Sequence, residues 1–385
     1  MHVRYGISTL ALALVLATTF GLAGAAQADV TIGISLSTTG PAAALGIPEK
    51  NMVELLLPKE IGGEKLKVIV LDDAGDATQA TTNARRFVTD DKADLIIGSS
   101  STPPSHAINA VALETGTPHF ALSPVAIPPE RMKYTFMLPQ DARLMADVIF
   151  KHMKSKGVTT VGVIGFSDSY GDLWLDQFKR LAEPMGLKLV ANERYARADT
   201  SVTGQTLKVI AARPDAVLVG ASGTGAALPQ IALRERGYTG PIYQTHGAAT
   251  KDFVRIAGKS AEGTILASGP AIVPNMVQDP GIKREAETYV KLYEGKYGKD
   301  SATQFGAHAY DSFKILERII PVALKSGAKP GTKEFREALL KALESEKEIV
   351  ASQGIYNFTP TDHAGLDERA RVLLSVKNGD WAPAP

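Results

Sequence analysis

The strongest constraint on this chain is an alternation, running from residue 30 almost to its end, of short β-branched runs with longer amphipathic stretches. A strand, a helix and a second strand form a βαβ unit, and stacked units build a parallel sheet with helices on both faces. Val30–Leu36 reads as a strand, Lys50–Glu60 as a helix, Leu66–Leu71 as a strand, Thr78–Asp90 as a helix, Leu95–Ile97 as a strand and Pro103–Thr115 as a helix. After His119–Leu122 and the proline-rich stretch Pro124–Pro129, the cycle restarts with a helix near Ala142 and a strand at Val161–Ile164. It continues through a helix at Gly171–Met185, a strand at Leu187–Asn192, a helix at Thr203–Ala212 and a strand at Ala216–Val219, then a helix and strand ending near His246. Helices at Gly281–Tyr297, Gln304–Lys325 and Lys333–Glu344 and strands around Gly354–Phe358 and Arg371–Lys377 close the chain. The expected fold is α/β, with two doubly wound, Rossmann-like lobes.

The first residues carry an address. His2 and Arg4 precede the apolar run Ile7–Gly24, and Ala26-Gln27-Ala28 is a small-residue exit, so residues 1–28 are expected to be a cleaved signal peptide and the mature chain to start at Asp29. A retained anchor is less favoured, because no basic residues flank the far side of the run. Cysteine is absent, which excludes disulfides and a lipidated Cys after the signal, and points to a free periplasmic protein. The 42 basic and 41 acidic residues balance without a basic tract, so nucleic acid is not an expected partner.

Ligands of parallel α/β sheets sit beyond the carboxyl ends of the strands. Those positions are rich in hydroxyls: Ser37-Thr38-Thr39-Gly40-Pro41 follows the first strand, and Gly98-Ser99-Ser100-Ser101-Thr102-Pro103-Pro104 follows the third. Either loop suits a carboxylate, through hydroxyls, N–H groups and the positive end of the next helix, although plain N-capping accounts for the same residues. Enzyme signatures are missing. Gly165-Phe166-Ser167-Asp168-Ser169 and Gly220–Thr224 both lack the final glycine of a nucleophile elbow, and there is no phosphate loop, no G-x-G-x-x-G at a strand end and no histidine pair at metal-ligand spacing. Asp72, Asp73 and Asp76 lack calcium-loop spacing and fit capping of the following helix better. Neither a metal nor a cofactor is expected.

The order of these segments, together with Leu36–Pro41 and Gly46, Leu71-Asp72-Asp73-Ala74 with Asp76, Gly98–Thr102, Ser123-Pro124, Ser169-Tyr170-Gly171 and Ala261-Glu262-Gly263, resembles the type I periplasmic solute-binding proteins that include the Leu/Ile/Val-binding protein. The resemblance spans nearly the whole mature chain. It implies a non-enzymatic, monomeric receptor whose partners are a small carboxylate and an inner-membrane ABC permease with its ATPase. It implies a clamshell of residues 29–141 plus 270–353 and 142–269 plus 354–385, joined by crossing strands near 139–142, 266–270 and 353–358.

Carried over by position, Ser99 takes the place of the serine that holds the ligand carboxylate, with Ser100, Ser101 and Thr102 beside it, Val125 offers backbone contacts, and Tyr170 comes from the second lobe. Ile127 stands for a threonine, His246 for the glutamate that pairs with an ammonium, and Ser222 for a tyrosine. A buried ammonium without a carboxylate is costly, whereas a neutral imidazole suits a keto or hydroxyl oxygen. Leu45 replaces an aromatic residue, the Gly220–Gly225 loop with Thr224 brings backbone close to a flat ligand, and Phe305 supplies an apolar wall. An aromatic acid or aromatic 2-oxo acid is therefore the expected ligand. A branched-chain or other amino acid, a sensor role and, less favoured, a hydrolase are the alternatives.

Overall fold

A computed structural model describes His2 and residues 29–385; the rest of the expected signal segment lies outside the described residues. The first half forms β1 (Val30–Leu36), α1 (Ala43–Leu56), β2 (Glu60–Ile61), β3 (Glu64–Asp72), α2 (Ala77–Thr89), β4 (Leu95–Gly98), α3 (Thr102–Thr115), β5 (His119–Ala121) and β6 (Thr135–Met137). Its sheet runs β2-β3-β1-β4-β5-β6, parallel except for β2. The second contains α4 (Ala142–Ser155), β7 (Thr160–Phe166), α5 (Ser169–Gln177), β8 (Lys188–Tyr195), α6 (Thr203–Ala211), β9 (Ala216–Gly220), α7 (Ala227–Glu235), β10 (Ile242–Gln244), α8 (Lys251–Ala257) and β11 (Ile265–Ser268). Then come α9 (Pro280–Tyr297), α10 (Gln304–Leu324), α11 (Lys333–Ser345), β12 (Ile349–Val350), β13 (Ile355–Tyr356), β14 (Val372–Lys377) and β15 (Asp380–Pro383). The second sheet runs β15-β14-β11-β10-β9-β7-β8, with β14 and β15 antiparallel at its edge. The fold has the two α/β lobes that the alternation implied, set together as the clamshell that the resemblance implied.

Burial explains the strands. Val30, Ile32, Ile34 and Leu36 of β1 enter one core with α1, α9, α10 and α11, so those late helices return to the first sheet. The opposite face of β1 meets α2 at Gly33, where an added Cβ would lie 2.3 Å from the Phe87 ring, so the sequence needs glycine there. Leu95 and Ile97 of β4 join the first core and Ile96 the cluster under α2 and α3, as side chains alternating across a sheet must. Asp76 caps α2, Asp141 α4, Asp168 α5 and Asp279 α9 by accepting first-turn N–H bonds. The aspartate cluster after β3 is thus spent on structure, and no metal-ligand group forms among the described residues.

Some boundaries move. Helix α1 starts at Ala43 and carries Pro48 in its second turn, where a missing N–H costs one hydrogen bond. The helix read over Gly171–Met185 ends regularly at Gln177 and continues as a π turn and a 3-10 turn around Pro184. Residues 354–366 were expected in the second lobe. Instead β13 pairs with β12, and Tyr356 and Phe358 pack into the first core, with Phe358 edge-on to Phe136 at 5.1 Å. The chain reaches the second core only near Val372. Gln353 nevertheless meets the other two crossings, lying 3.4 Å from Gln140 Nε2 and against Gly269.

Candidate functional site

A tight cavity lies between the lobes, with about 20 Å³ free, room for about one water molecule. From the first lobe it is lined by Leu45 of α1, Ser100, Ser101 and Thr102 after β4, Leu122, Ser123 and Pro124 after β5, and Phe305 and His308 of α10. The second lobe contributes Tyr170 of α5, Arg197 after β8, Ser222 after β9, and His246 and Gly247 after β10. Most of the lining therefore lies just past strand ends, as sheet topology dictates. The lobes touch around it: Gln304 Nε2 donates to the His246 carbonyl, and Leu45 lies where a Cβ on Gly223 would fall.

Of the residues singled out from the sequence, Leu45, Ser100, Ser101, Thr102, Tyr170, Ser222, His246 and Phe305 line this one cavity. Ser99 does not. Its buried hydroxyl donates to Asp73 Oδ2 at 2.7 Å, alongside Ser35, while Ser37 and the Gly75 N–H serve Oδ1, so Ser99 fastens β4 to the neighbouring strands. Val125 and Ile127 are also displaced. They pack with Ala121 and Met137 and line an outer cleft facing Leu173 and Gln177, and the Val125 N–H is given to the Met137 sulfur. Thr224 lines the opposite outer cleft with Gly40, Pro41 and Phe166.

The sequence reading missed three polar members, Ser123, Arg197 and His308. Arg197 follows the end of β8 by two residues, so the strand-end rule would have found it had β8 been carried to Tyr195. Its Nε donates to Asp168 Oδ2 at 2.5 Å, its Nη1 to Ser222 Oγ at 3.2 Å, and its guanidinium lies 4.2 Å from the Phe166 ring centroid. The Asp168 pair aims a fixed, planar donor at the cavity. His308 sits on a buried helical face and looks like core; only its polarity marks it.

Burial sets the protonation states. His246 is pushed down to about 4 by desolvation, and His308 to about 3 by desolvation and by its charge interaction with His246. Both are neutral at pH 7. Nδ1 of His246 and both ring nitrogens of His308 have no hydrogen-bond partner among the described residues. Tyr170 is pushed up to about 12 by burial and gives its proton to Thr245 Oγ1 at 2.8 Å. Among the described residues no Asp or Glu lines the cavity. It offers one guanidinium, several hydroxyls and two neutral imidazoles within apolar walls.

A profile of the family described as periplasmic binding protein matches residues 29–379. An extracellular ligand-binding receptor from Rhodopseudomonas palustris is 60% identical, with a TM-score of 0.90 over 92% of this chain and 99% of that one. The Leu/Ile/Val-binding protein homolog 3 of Brucella melitensis is 26% identical over 358 residues, 90% of this chain and 91% of that protein. A leucine binding protein from Thermotoga maritima, at 22% identity and a TM-score of 0.76 over 92% of this chain and 97% of that one, shares the fold.

Proposed function

This chain belongs to the periplasmic binding protein family, and on that premise we propose that its cavity captures a small carboxylate lacking an amine, an aromatic acid or aromatic 2-oxo acid, for an ABC importer of the inner membrane. The observation that carries the reading is the charge inventory: a guanidinium and two neutral imidazoles, with no carboxylate among the described lining residues. Such a site favours an anion and disfavours a zwitterion, because a buried ammonium without a carboxylate forfeits its solvation.

Each residue then has a task. The carboxylate meets the hydroxyls of Ser101 and Thr102 at the start of α3, where Pro103 and Pro104 offer no N–H, and closure adds Arg197 from the second lobe. Tyr170, Phe305, Leu45, Leu122 and Pro124 flank a flat apolar body. The unpartnered nitrogens of His246 and His308 serve neutral oxygens, a keto group or a hydroxyl, since a neutral imidazole has one donor and one acceptor. Ligand contacts to both lobes stabilise the closed form over the open one. The protein works as a monomer, and family membership implies a periplasmic address in line with the expected signal peptide.

The names of relatives such as the Brucella protein favour a branched-chain amino acid instead. That reading needs a carboxylate for the ammonium, yet Asp168 is engaged by Arg197 and Glu49 lies behind Ser100. Calorimetry on protein unfolded and refolded to strip any carried ligand separates the two. Phenylpyruvate, benzoylformate or benzoate should bind and leucine and valine should not; tight leucine or valine binding with none by the aromatic acids would overturn the proposal.

A further inference from the structure

We infer that Glu49 is carried as the neutral acid and positions the ligand anion indirectly, by donating its proton to Ser100 so that the Ser100 hydroxyl is free to donate into the cavity. This rests on the anion reading above and gives a role to a residue outside the cavity wall.

Glu49 lies on α1 and is fully buried. Its Oε2 shares a hydrogen bond with Ser100 Oγ, and its Oε1 has no hydrogen-bond partner among the described residues. Among the titratable groups of the elements packed on α1 are Asp73 after β3, His308 and Asp311 of α10, and Tyr289 and Tyr293 of α9; the one whose charge acts on Glu49 is Asp73, of like sign. Burial holds the Glu49 carboxyl well above the usual range; the Ser100 bond opposes it, and the smaller effect of the Asp73 charge adds to it.

Proton counting then fixes the direction of the bonds. Ser100 Oγ has one proton and two lone pairs, and one lone pair accepts the Ser37 N–H at 3.0 Å. If Glu49 were ionised, Ser100 would have to give it that proton and would turn a bare lone pair toward the ligand, repelling an anion. With Glu49 protonated, the acid donates to the second lone pair, and the Ser100 proton points to where Ser100 lines the cavity. A buried acid and a hydroxyl thus form a short donor relay from the core to the ligand.

The test measures phenylpyruvate and benzoate binding by wild type, Glu49→Gln, Glu49→Leu and Ser100→Ala from about pH 5 to about pH 9, with thermal unfolding to confirm that each variant is folded. Wild-type affinity should fall about 10-fold or more as pH rises through the Glu49 ionisation. Glu49→Gln, whose amide N–H donates to Ser100 as the acid does, and Glu49→Leu, which leaves the Ser100 proton unclaimed, should both stay flat with pH, and Ser100→Ala should lose about 10-fold at every pH. A protonated-carboxyl band in the infrared difference spectrum of wild type minus Glu49→Gln at pH 7 reads the acid directly, without ligand. A loss with rising pH that persists unchanged in Glu49→Gln and Glu49→Leu, a Ser100→Ala variant that binds as wild type does, or a missing band would overturn the inference. A band with no binding of either acid by wild type would instead sink the anion reading and leave the protonated Glu49 standing.

Discussion

Arg197 is fixed by Asp168, Ser222 and the Phe166 face, so its donor edge is oriented by the second lobe itself. Arg197→Ala should cost roughly 100-fold in affinity for an aromatic acid, and Arg197→Lys should recover little, because an ammonium cannot reproduce the planar fork. Ser99→Ala should behave oppositely in calorimetry and denaturant unfolding: stability falls by about 1–2 kcal/mol as Asp73 loses a donor, while affinity stays within about 3-fold. His308 ties the cavity to pH. Its folded value, about 3, lies below the ordinary 6.5, so the unfolded chain takes up a proton first and stability is lost as pH falls below about 6.5. Between about pH 6.5 and about pH 5, wild type should therefore lose about 1.6 kcal/mol relative to His308→Phe in urea unfolding, and a constant difference would contradict a neutral, buried His308. At this scale sequence reading stopped at type and spacing. It brought Ser101, Tyr170, Ser222 and His246 to the wall, but nothing in a run of three serines says which hydroxyl faces ligand and which fastens a strand to Asp73.

Strands declare themselves through burial on both faces, which is why β1, β4, β7 and β9 were readable as β-branched runs. Three-residue β6 and two-residue β2 and β12 were not read as such, since segments so short owe their extended form to their neighbours. The third crossing shows the same effect: Gly354–Phe358 was correctly extended but placed in the wrong lobe, because what holds it is Asp311 on α10. That carboxylate accepts from the Ser352 N–H at 2.8 Å, the Ser352 hydroxyl at 2.6 Å, the Gln353 N–H at 2.9 Å and Tyr356 at 3.1 Å. Asp311→Asn turns an amide NH₂ toward donors and should destabilise the protein by about 2–4 kcal/mol in urea unfolding; a loss below about 0.5 kcal/mol would mean that the crossing is held by packing alone.

For the whole molecule, the central claim is that two lobes close around an anion without an ammonium. The charge inventory of the wall supports it, and so does the direct contact of the lobes through Gln304 and His246. The fold followed from periodicity, whereas the ligand class depends on side chains from both lobes whose meeting only the closed structure reveals. Phenylpyruvate and phenylalanine share a carbon skeleton and a carboxylate and differ at one centre, a keto oxygen against an ammonium. Calorimetric titration of the refolded mature protein with this matched pair isolates the claim. Phenylpyruvate should bind at least about 100-fold more tightly, the equivalent of about 3 kcal/mol; phenylalanine binding as tightly or more tightly would contradict the account.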